Sequence, residues 1–170
     1  MDATPAAPAD VAVRRSLRER LFDPIPIAPI VYFRFLFGCI MVWEIFRYVA
    51  YGWVRRVYID PPYHFKYFGF AWVKPWPGEL MYLHFFIVGL AAIGITIGLA
   101  YRLSAIVFFL GFTYIFLLEE VNYLNHLYLV CLLAFLSIFL PAHRARSLDV
   151  RLRPERFATH VPAWTLWLLR

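Results

Sequence analysis

The chain has 170 residues, of which 62% are hydrophobic and 20% are aromatic, with a formal net charge of +6 and a mean hydropathy of +0.64. Soluble domains are about half apolar, so this composition indicates a bilayer protein and leaves no room for a separate soluble domain. The basic residues flank apolar runs instead of forming one stripe with interleaved aromatics, which argues against a nucleic-acid partner.

Apolar segments dominate the chain after a short tail. Residues 1–24 form a basic tail without the apolar core of a signal peptide. The sequence then predicts an all-α, multi-span transmembrane helical bundle over residues 25–140, with spans at about 25–51, 81–101, 103–118 and 123–140. Residues 141–170 are a basic segment followed by VPAWTLWLLR, which is too short to cross about 30 Å of hydrocarbon. We therefore expect four spans plus the start of a truncated fifth.

Basic residues are distributed unevenly between the two sides of such a bundle. One side, formed by the tail, the turn at residues 101–103 and the segment after Pro141, carries ten arginines, whereas the other carries Arg55, Arg56, Lys66 and Lys74. The positive-inside rule then predicts a multi-pass integral membrane protein with a cytoplasmic N-terminus. The first loop is rich in Tyr, Phe, Trp and Pro, as expected for a segment at headgroup level on the outer side.

A polar cluster interrupts the apolar sequence in YIFLLEEVNYLNHLYLV, residues 114–130. If the fourth span begins near Asn122, then Asn122, Asn125 and His126 share one helical face, and Glu119 joins them if the helix begins early. For the glutamates we favour a solvated hairpin tip in which the asparagines cap the new helix. His126 is either a functional group inside the membrane or a hydrogen-bonding partner between helices.

Other charged or ionisable side chains occur within the predicted spans. His84 lies on the same outer side as the polar cluster, where it either lines the same cavity or occupies the headgroup layer. Arg34 is about two turns from the cytoplasmic end of the first span, so its side chain either snorkels to the interface, which we favour, or enters the bundle. Glu44 and Arg47 have the spacing of an ion pair on one helix.

Motifs of soluble enzymes are absent from the sequence. It contains no G-x-G-x-x-G, Walker loop, H-E-x-x-H, C-x-x-C or nucleophile elbow. Cys39 and Cys131 lie in apolar stretches, so neither a disulfide framework nor a metal site is predicted. Any chemistry is expected to take place within the membrane.

Several blocks of sequence resemble, in order from about Asp23 to Arg170, the vitamin K-dependent gamma-glutamyl carboxylase family. They are DPIPIAPIVYFRFLFGCIMVWEI, MYLHFFIVGLAAIGITIGLAYRLS, YIFLLEEVNYLNHLYLVCLLAFL, RSLD and HVPAWTLWLLR, and the loop YHFKYFGFAWVKPWPG resembles the family's bacterial relatives, the HTTM proteins. The resemblance implies a protein of the bacterial inner membrane that binds reduced vitamin K or a related quinol. It also implies that quinol oxygenation generates the strong base for glutamate carboxylation, without a metal.

The resemblance also implies the residues of a site. By position, the family's Asn-His pair falls on Asn125 and His126, and its acidic residue falls on Glu119, which makes these three the catalytic candidates. A histidine beside an amide can orient a quinol hydroxyl or stabilise an oxyanion on the ring. The side chains expected to contact the quinol are His84, Tyr123 and Asn122.

The chain also departs from the family's pattern. Leu124 and Leu127 stand where animal members carry polar residues, so the pocket is more apolar or its substrate differs. The family's general-base lysine belongs to the next span, beyond Arg170. We therefore expect this chain alone to be inactive, and a glutamyl protein substrate to engage missing C-terminal regions.

A different class of function remains open on the sequence. The chain would then be a non-catalytic quinone- or lipid-binding membrane module, or a bundle that assembles with other membrane proteins. The reading frame beyond Arg170 discriminates between the two, because a further span carrying lysine favours the enzyme and a stop codon favours the module.

Overall fold

Four long antiparallel helices form the body of the protein. The structure, a computed structural model, describes residues 16–122 and 124–169. A short helix, α1 (Leu17–Phe22), precedes the four helices, which pack in chain order: α2 (Ala28–Ala50), α3 (Leu80–Ile97), α4 (Tyr101–Leu118) and α5 (Asn125–Phe139). Two short helices, α6 (Leu148–Leu152) and α7 (Trp164–Trp167), follow.

Three helices of the described residues, α2, α3 and α4, are long and apolar enough to cross a membrane. Helix α5 is apolar too, but its 15 residues rise only about 22 Å at 1.5 Å per residue, which is less than the hydrocarbon thickness of about 30 Å. The fold is therefore mostly helical, and its three candidate spans suggest a membrane protein. The predicted count of four spans plus a fifth is not established.

The helices are apolar on both their inner and outer faces. On α2, Phe37 and Met41 are buried against the neighbouring helices, whereas Ile40 and Trp43 are more than half exposed. A helix that is apolar all round suits a lipid environment. Gly38 allows α2 and α3 to cross closely, because a Cβ atom there would lie 2.3 Å from the hydroxyl oxygen of Thr96.

One end of the bundle, which we call the basic end, contains the starts of α2 and α4 and the ends of α3 and α5. Here the preferred interpretation of Arg34 as a snorkelling residue was wrong, because its side chain enters the bundle and is only 2% exposed. Its guanidinium Nη1 donates to the carbonyls of Ile95 (3.0 Å) and Thr96 (2.8 Å), and Nη2 donates to the carbonyl of Arg146 (2.8 Å). Carbonyls in the last turn of a helix lack partners within it, so Arg34 caps α3.

Asp149 performs the complementary role for α4 at the same end. Its Oδ1 accepts from the backbone N–H of Ala100 (2.8 Å) and its Oδ2 accepts from that of Tyr101 (3.0 Å). The backbone N–H of Asp149 donates to the carbonyl of Gly98, which ends α3 in the left-handed region at φ +68°. Asp149 therefore ties the segment after α5 to the tight turn between α3 and α4.

A small antiparallel sheet of two strands, β1 (Pro24–Pro26) and β2 (His160–Pro162), also lies at the basic end. Ile25 pairs with Val161 in its centre. The all-α prediction missed this sheet, and the segment predicted to start a fifth span consists of β2 and α7. Strands of three residues lack the periodicity by which a sequence reveals a strand, which explains the omission.

The other end, which we call the aromatic end, holds residues 51–79 together with the end of α4 and the start of α5. The predicted pair of Glu44 and Arg47 is confirmed there, with 3.1 Å between carboxylate and guanidinium. Arg47 also lies over the ring of Trp53, 5.1 Å from its centroid. After a π-helical turn, Val54–Ile59, the chain continues without further helix or strand until α3 begins.

Candidate functional site

Glu119 is a buried carboxylate at the aromatic end. It follows the last residue of α4 with an extended backbone, and it is only 8% exposed. Its Oε1 accepts from the backbone N–H of Phe65 (3.3 Å) and of Val121 (3.4 Å). The backbone N–H of Glu120 donates to the carbonyl of Phe65 at 2.9 Å. These bonds hold the loop between α2 and α3 against the corner between α4 and α5.

Lys66 lies beside Glu119 in the same corner. Its Nζ donates to the carbonyl of Leu118, at 3.3 Å, which is one of the carbonyls that α4 leaves without a helical partner. Burial lowers the pKa of Lys66 below its usual 10.5, and the attraction of Glu119 offsets part of that change. The corner thus combines a carboxylate with an ammonium group at a helix C-terminus, where the helix dipole favours a cation.

A pair of tyrosines completes the polar surroundings of Glu119. Tyr58 is 4% exposed, and its ring stacks on that of Tyr48 with 6.5 Å between the ring centroids. Burial raises the pKa of Tyr58 well above its usual 10, and both Tyr48 and the carboxylate of Glu119 add to the rise. The Tyr58 phenol is therefore neutral at any physiological pH and remains a hydrogen-bond donor.

A small cavity lies between these residues. It is lined by Tyr48, Tyr58, Phe112, Ile115, Phe116, Glu119 and Leu127. Its volume of about 10 Å³ is enough for roughly one water molecule, whereas ligand pockets usually measure hundreds of Å³. In this conformation the corner between α4 and α5 can hydrate Glu119, but it does not enclose a quinol ring.

The predicted pair Asn125 and His126 occupies the first turn of α5. Both side chains are exposed, whereas the next residue, Leu127, is buried and lines the cavity. Because α5 begins at Asn125, Glu119 does not share a helical face with His126. Asn122 ends a single 3₁₀ turn, and both its side chain and Tyr123 lie outside the described part of the chain.

His84 lies in a separate polar position between α3 and α4. Its Nε2–H donates to the carbonyl of Gly111 at 3.0 Å, and its ring is 4.7 Å from that of Tyr114 and 6.2 Å from that of Trp76. Gly111 precedes Glu119 by eight residues, which corresponds to about 12 Å along a helix axis. The structure therefore does not bring His84 and Glu119 together.

Sequence analysis missed the contribution of Lys66, Tyr48 and Tyr58 to this site. The signal for Lys66 was a single cation within the aromatic run YHFKYF, where a charge needs a partner. Nothing in the sequence distinguished the two tyrosines from the other nine. Among the described residues, no group of three or more His, Cys, Asp or Glu side chains is suited to hold a metal ion.

Comparison with known proteins adds one match. The model of the HTTM domain, which belongs to the vitamin K-dependent carboxylase family, matches residues 22–170. No solved structure matches the chain. The matched range contains the four long helices, the corner around Glu119 and the whole segment after α5.

Proposed function

The chain belongs to the HTTM-domain family, and from this premise we propose that it is the N-terminal transmembrane part of a vitamin K-dependent gamma-carboxylase-like protein. In the complete protein, quinol oxygenation is coupled to glutamate carboxylation. The proposal includes α5 as a fourth span, a cytoplasmic basic end and a bacterial inner membrane. The three apolar helices and the concentration of arginines at one end support it.

The observation that carries this proposal is the burial of Glu119 beside Lys66 and Tyr58. A buried carboxylate is costly unless donors satisfy it, yet both described hydrogen bonds to Glu119 end on Oε1 and are long, at 3.3 and 3.4 Å. Oε2 therefore remains available to a hydroxyl group. A structural carboxylate would gain more stability from shorter bonds to both oxygens.

The quinol of this proposal reaches the site from the lipid. Asn125 and His126 are exposed on the first turn of α5, flanked by Leu124 and Tyr128, which are about half exposed. Quinols are lipid-soluble, so a ring that approaches this apolar surface meets the amide and imidazole first. Those groups orient its hydroxyls by hydrogen bonding, while Glu119 acts from the interior side of the same corner. The predicted contacts of His84, Asn122 and Tyr123 with the quinol stay predictions.

The complete protein would also need a base to remove the quinol proton. Lys66 is the lysine nearest to the site in the described structure, but its ammonium is bound to the carbonyl of Leu118 and attracted to Glu119. We therefore assign Lys66 a positioning role for Glu119.

Quinol binding by the purified chain in lipid nanodiscs tests the proposal. Titration with reduced vitamin K, monitored by tryptophan fluorescence, should show saturable binding. His126→Ala and Glu119→Gln should each weaken this binding by roughly tenfold, because each removes one hydrogen bond to a charged or strongly polar group. His160→Ala is the matched control, since His160 is an exposed histidine at the basic end. Equal affinity for all four proteins would refute a quinol site at this corner.

A further inference from the structure

Two adjoining cavities open at the basic end, outside the corner described above. Their volumes are about 360 and 420 Å³, and both are lined by Arg102, His143 and Arg156. The first is also lined by Arg153 and Asp149, and the second by Arg144 and Glu155. We call the two together the arginine cavity. Its position at the turn between α3 and α4 places it at the end of two helices that are apolar enough to cross a membrane.

The arginine cavity has an excess of positive charge. Four arginines line it against two carboxylates, and the oxygens of Asp149 already accept from the backbone N–H groups of Ala100 and Tyr101. Within residues 16–122 and 124–169, none of the four arginines forms an ion pair. Guanidinium groups clustered without carboxylate partners favour an anionic ligand, and their planar donors match phosphate oxygens.

His143 lies in the wall of both cavities. Its ring stacks on that of Tyr101, with 5.8 Å between the centroids. Its Nδ1 is buried without a hydrogen-bond partner in the described part of the chain. Buried polar atoms in folded proteins almost always have a partner, so this nitrogen leaves a hydrogen bond unmade next to the arginine cluster.

The rim of the arginine cavity is apolar. Leu103 and Leu152 border the first cavity and are 63% and 70% exposed, and Phe157 borders the second and is 58% exposed. Inorganic phosphate has no apolar group that could contact these side chains. A ligand with a charged phosphate and hydrocarbon chains fits both parts of the surface.

We propose that the arginine cavity binds the phosphate headgroup of an anionic phospholipid, with its acyl chains lying against Leu103 and the neighbouring outer surface of α4. Arg102 and Arg156 contact the phosphate, because they line both cavities. The bound lipid offsets one of the two excess positive charges of the arginine cluster and anchors the segment after α5 to the membrane surface. Basic pockets beside transmembrane helices bind anionic headgroups in this way.

Lipid retention measured by native mass spectrometry tests the proposal on the full chain. The protein, purified in a neutral detergent, is incubated with phosphatidylglycerol, with phosphatidylcholine, or with inorganic phosphate. We expect one phosphatidylglycerol to be retained in preference to phosphatidylcholine. The double variant Arg102→Gln/Arg156→Gln should weaken that retention by roughly tenfold or more, on the order expected for two lost arginine–phosphate interactions.

The matched control is Arg18→Gln/Arg151→Gln, which removes the same charge from exposed positions that do not line the arginine cavity. Thermal unfolding without added lipid confirms that both double variants are folded. Equal retention by the two variants would overturn the proposal. So would equal retention of the two lipids, or competition by millimolar inorganic phosphate, since the latter would show that a free phosphate occupies the site.

Discussion

At the scale of single residues, Arg34 supplies the clearest stability prediction. Arg34→Met keeps much of the side-chain volume but removes the guanidinium that donates to the carbonyls of Ile95, Thr96 and Arg146, of which Ile95 keeps only the N–H of Gly98. We expect the free energy of unfolding, measured by denaturant titration in mixed micelles, to fall by about 3 kcal/mol. Arg20→Met, on the exposed face of α1, is the control and should change it by less than about 0.5 kcal/mol. Similar values for the two variants would show that Arg34 does not cap α3.

His143 gives a pH prediction at the same scale. Burial lowers the pKa of His143 below the usual 6.5. The positive charges of Arg102, Arg144 and Arg156 lower this pKa further, whereas the carboxylate of Asp149 raises it. A group with a lowered folded-state pKa binds fewer protons when folded, so stability should fall as the pH drops below about 6.5.

Unfolding measured between pH 7.5 and pH 5 checks this expectation. His143→Gln should reduce the loss of stability on acidification, whereas His160→Gln, an exposed histidine at the same end, should leave it unchanged. Saturation with an anionic phospholipid should also reduce the loss, because its charge opposes that of Arg102 and Arg156. A pH profile that His143→Gln does not alter would contradict the assignment.

At the scale of secondary-structure elements, Asp149 acts as a remote cap for α4. Asp149→Ala removes the acceptors of Ala100 and Tyr101 at the N-terminus of that helix, so we expect a loss of about 1 to 2 kcal/mol in the free energy of unfolding. Asp60→Ala is the control, because Asp60 is exposed and, among the described residues, forms an ion pair with Arg55 alone, so its loss should cost under about 1 kcal/mol. An effect of Asp149→Ala no larger than the control would show that α4 does not depend on this carboxylate.

The start of α5 shows why an element boundary was hard to predict. The spacing of Asn122, Asn125 and His126 suits one helical face, but the helix begins only at Asn125. The backbone of Glu119 is extended because Phe65 holds this corner in place. The Phe65 N–H donates to the Glu119 carboxylate, and the Phe65 carbonyl accepts from the N–H of Glu120. That contact joins residues more than fifty positions apart, and local periodicity carries no information about it.

At the scale of the whole molecule, the sequence predicted what depends on hydrophobic periodicity and missed what depends on distant contacts. The four long apolar segments correspond to four helices because a run of apolar residues in this composition has few alternatives to a helix. The Arg34 side chain enters the bundle because it donates to carbonyls at the C-terminal end of α3, some sixty residues away in the sequence. The placement of Lys66 on the end of α4 depended in the same way on tertiary packing.

Membrane topology is the prediction that belongs to this scale. Reporter fusions should place residues 10 and 150 in the cytoplasm and residues 65 and 121 outside, since arginines concentrate at the basic end. The backbone bond from Glu120 to Phe65 already puts positions 65 and 121 at one end of the bundle. The decisive comparison is between positions 121 and 150, because they flank the short helix α5. Finding both on one side would show that α5 does not cross the membrane.

Epoxide formation from reduced vitamin K by the complete protein, expressed per folded molecule, is the most direct measurement of the proposed role of this chain. His126→Ala should lower turnover by roughly a hundredfold or more, as expected when a group in acid–base chemistry is lost, and His126→Gln should stay largely inactive. Both variants should remain folded, since the His126 side chain is exposed. His160→Ala is the matched control and should retain full turnover. Wild-type turnover in His126→Ala would contradict the proposal and reduce His126 to a surface residue of α5.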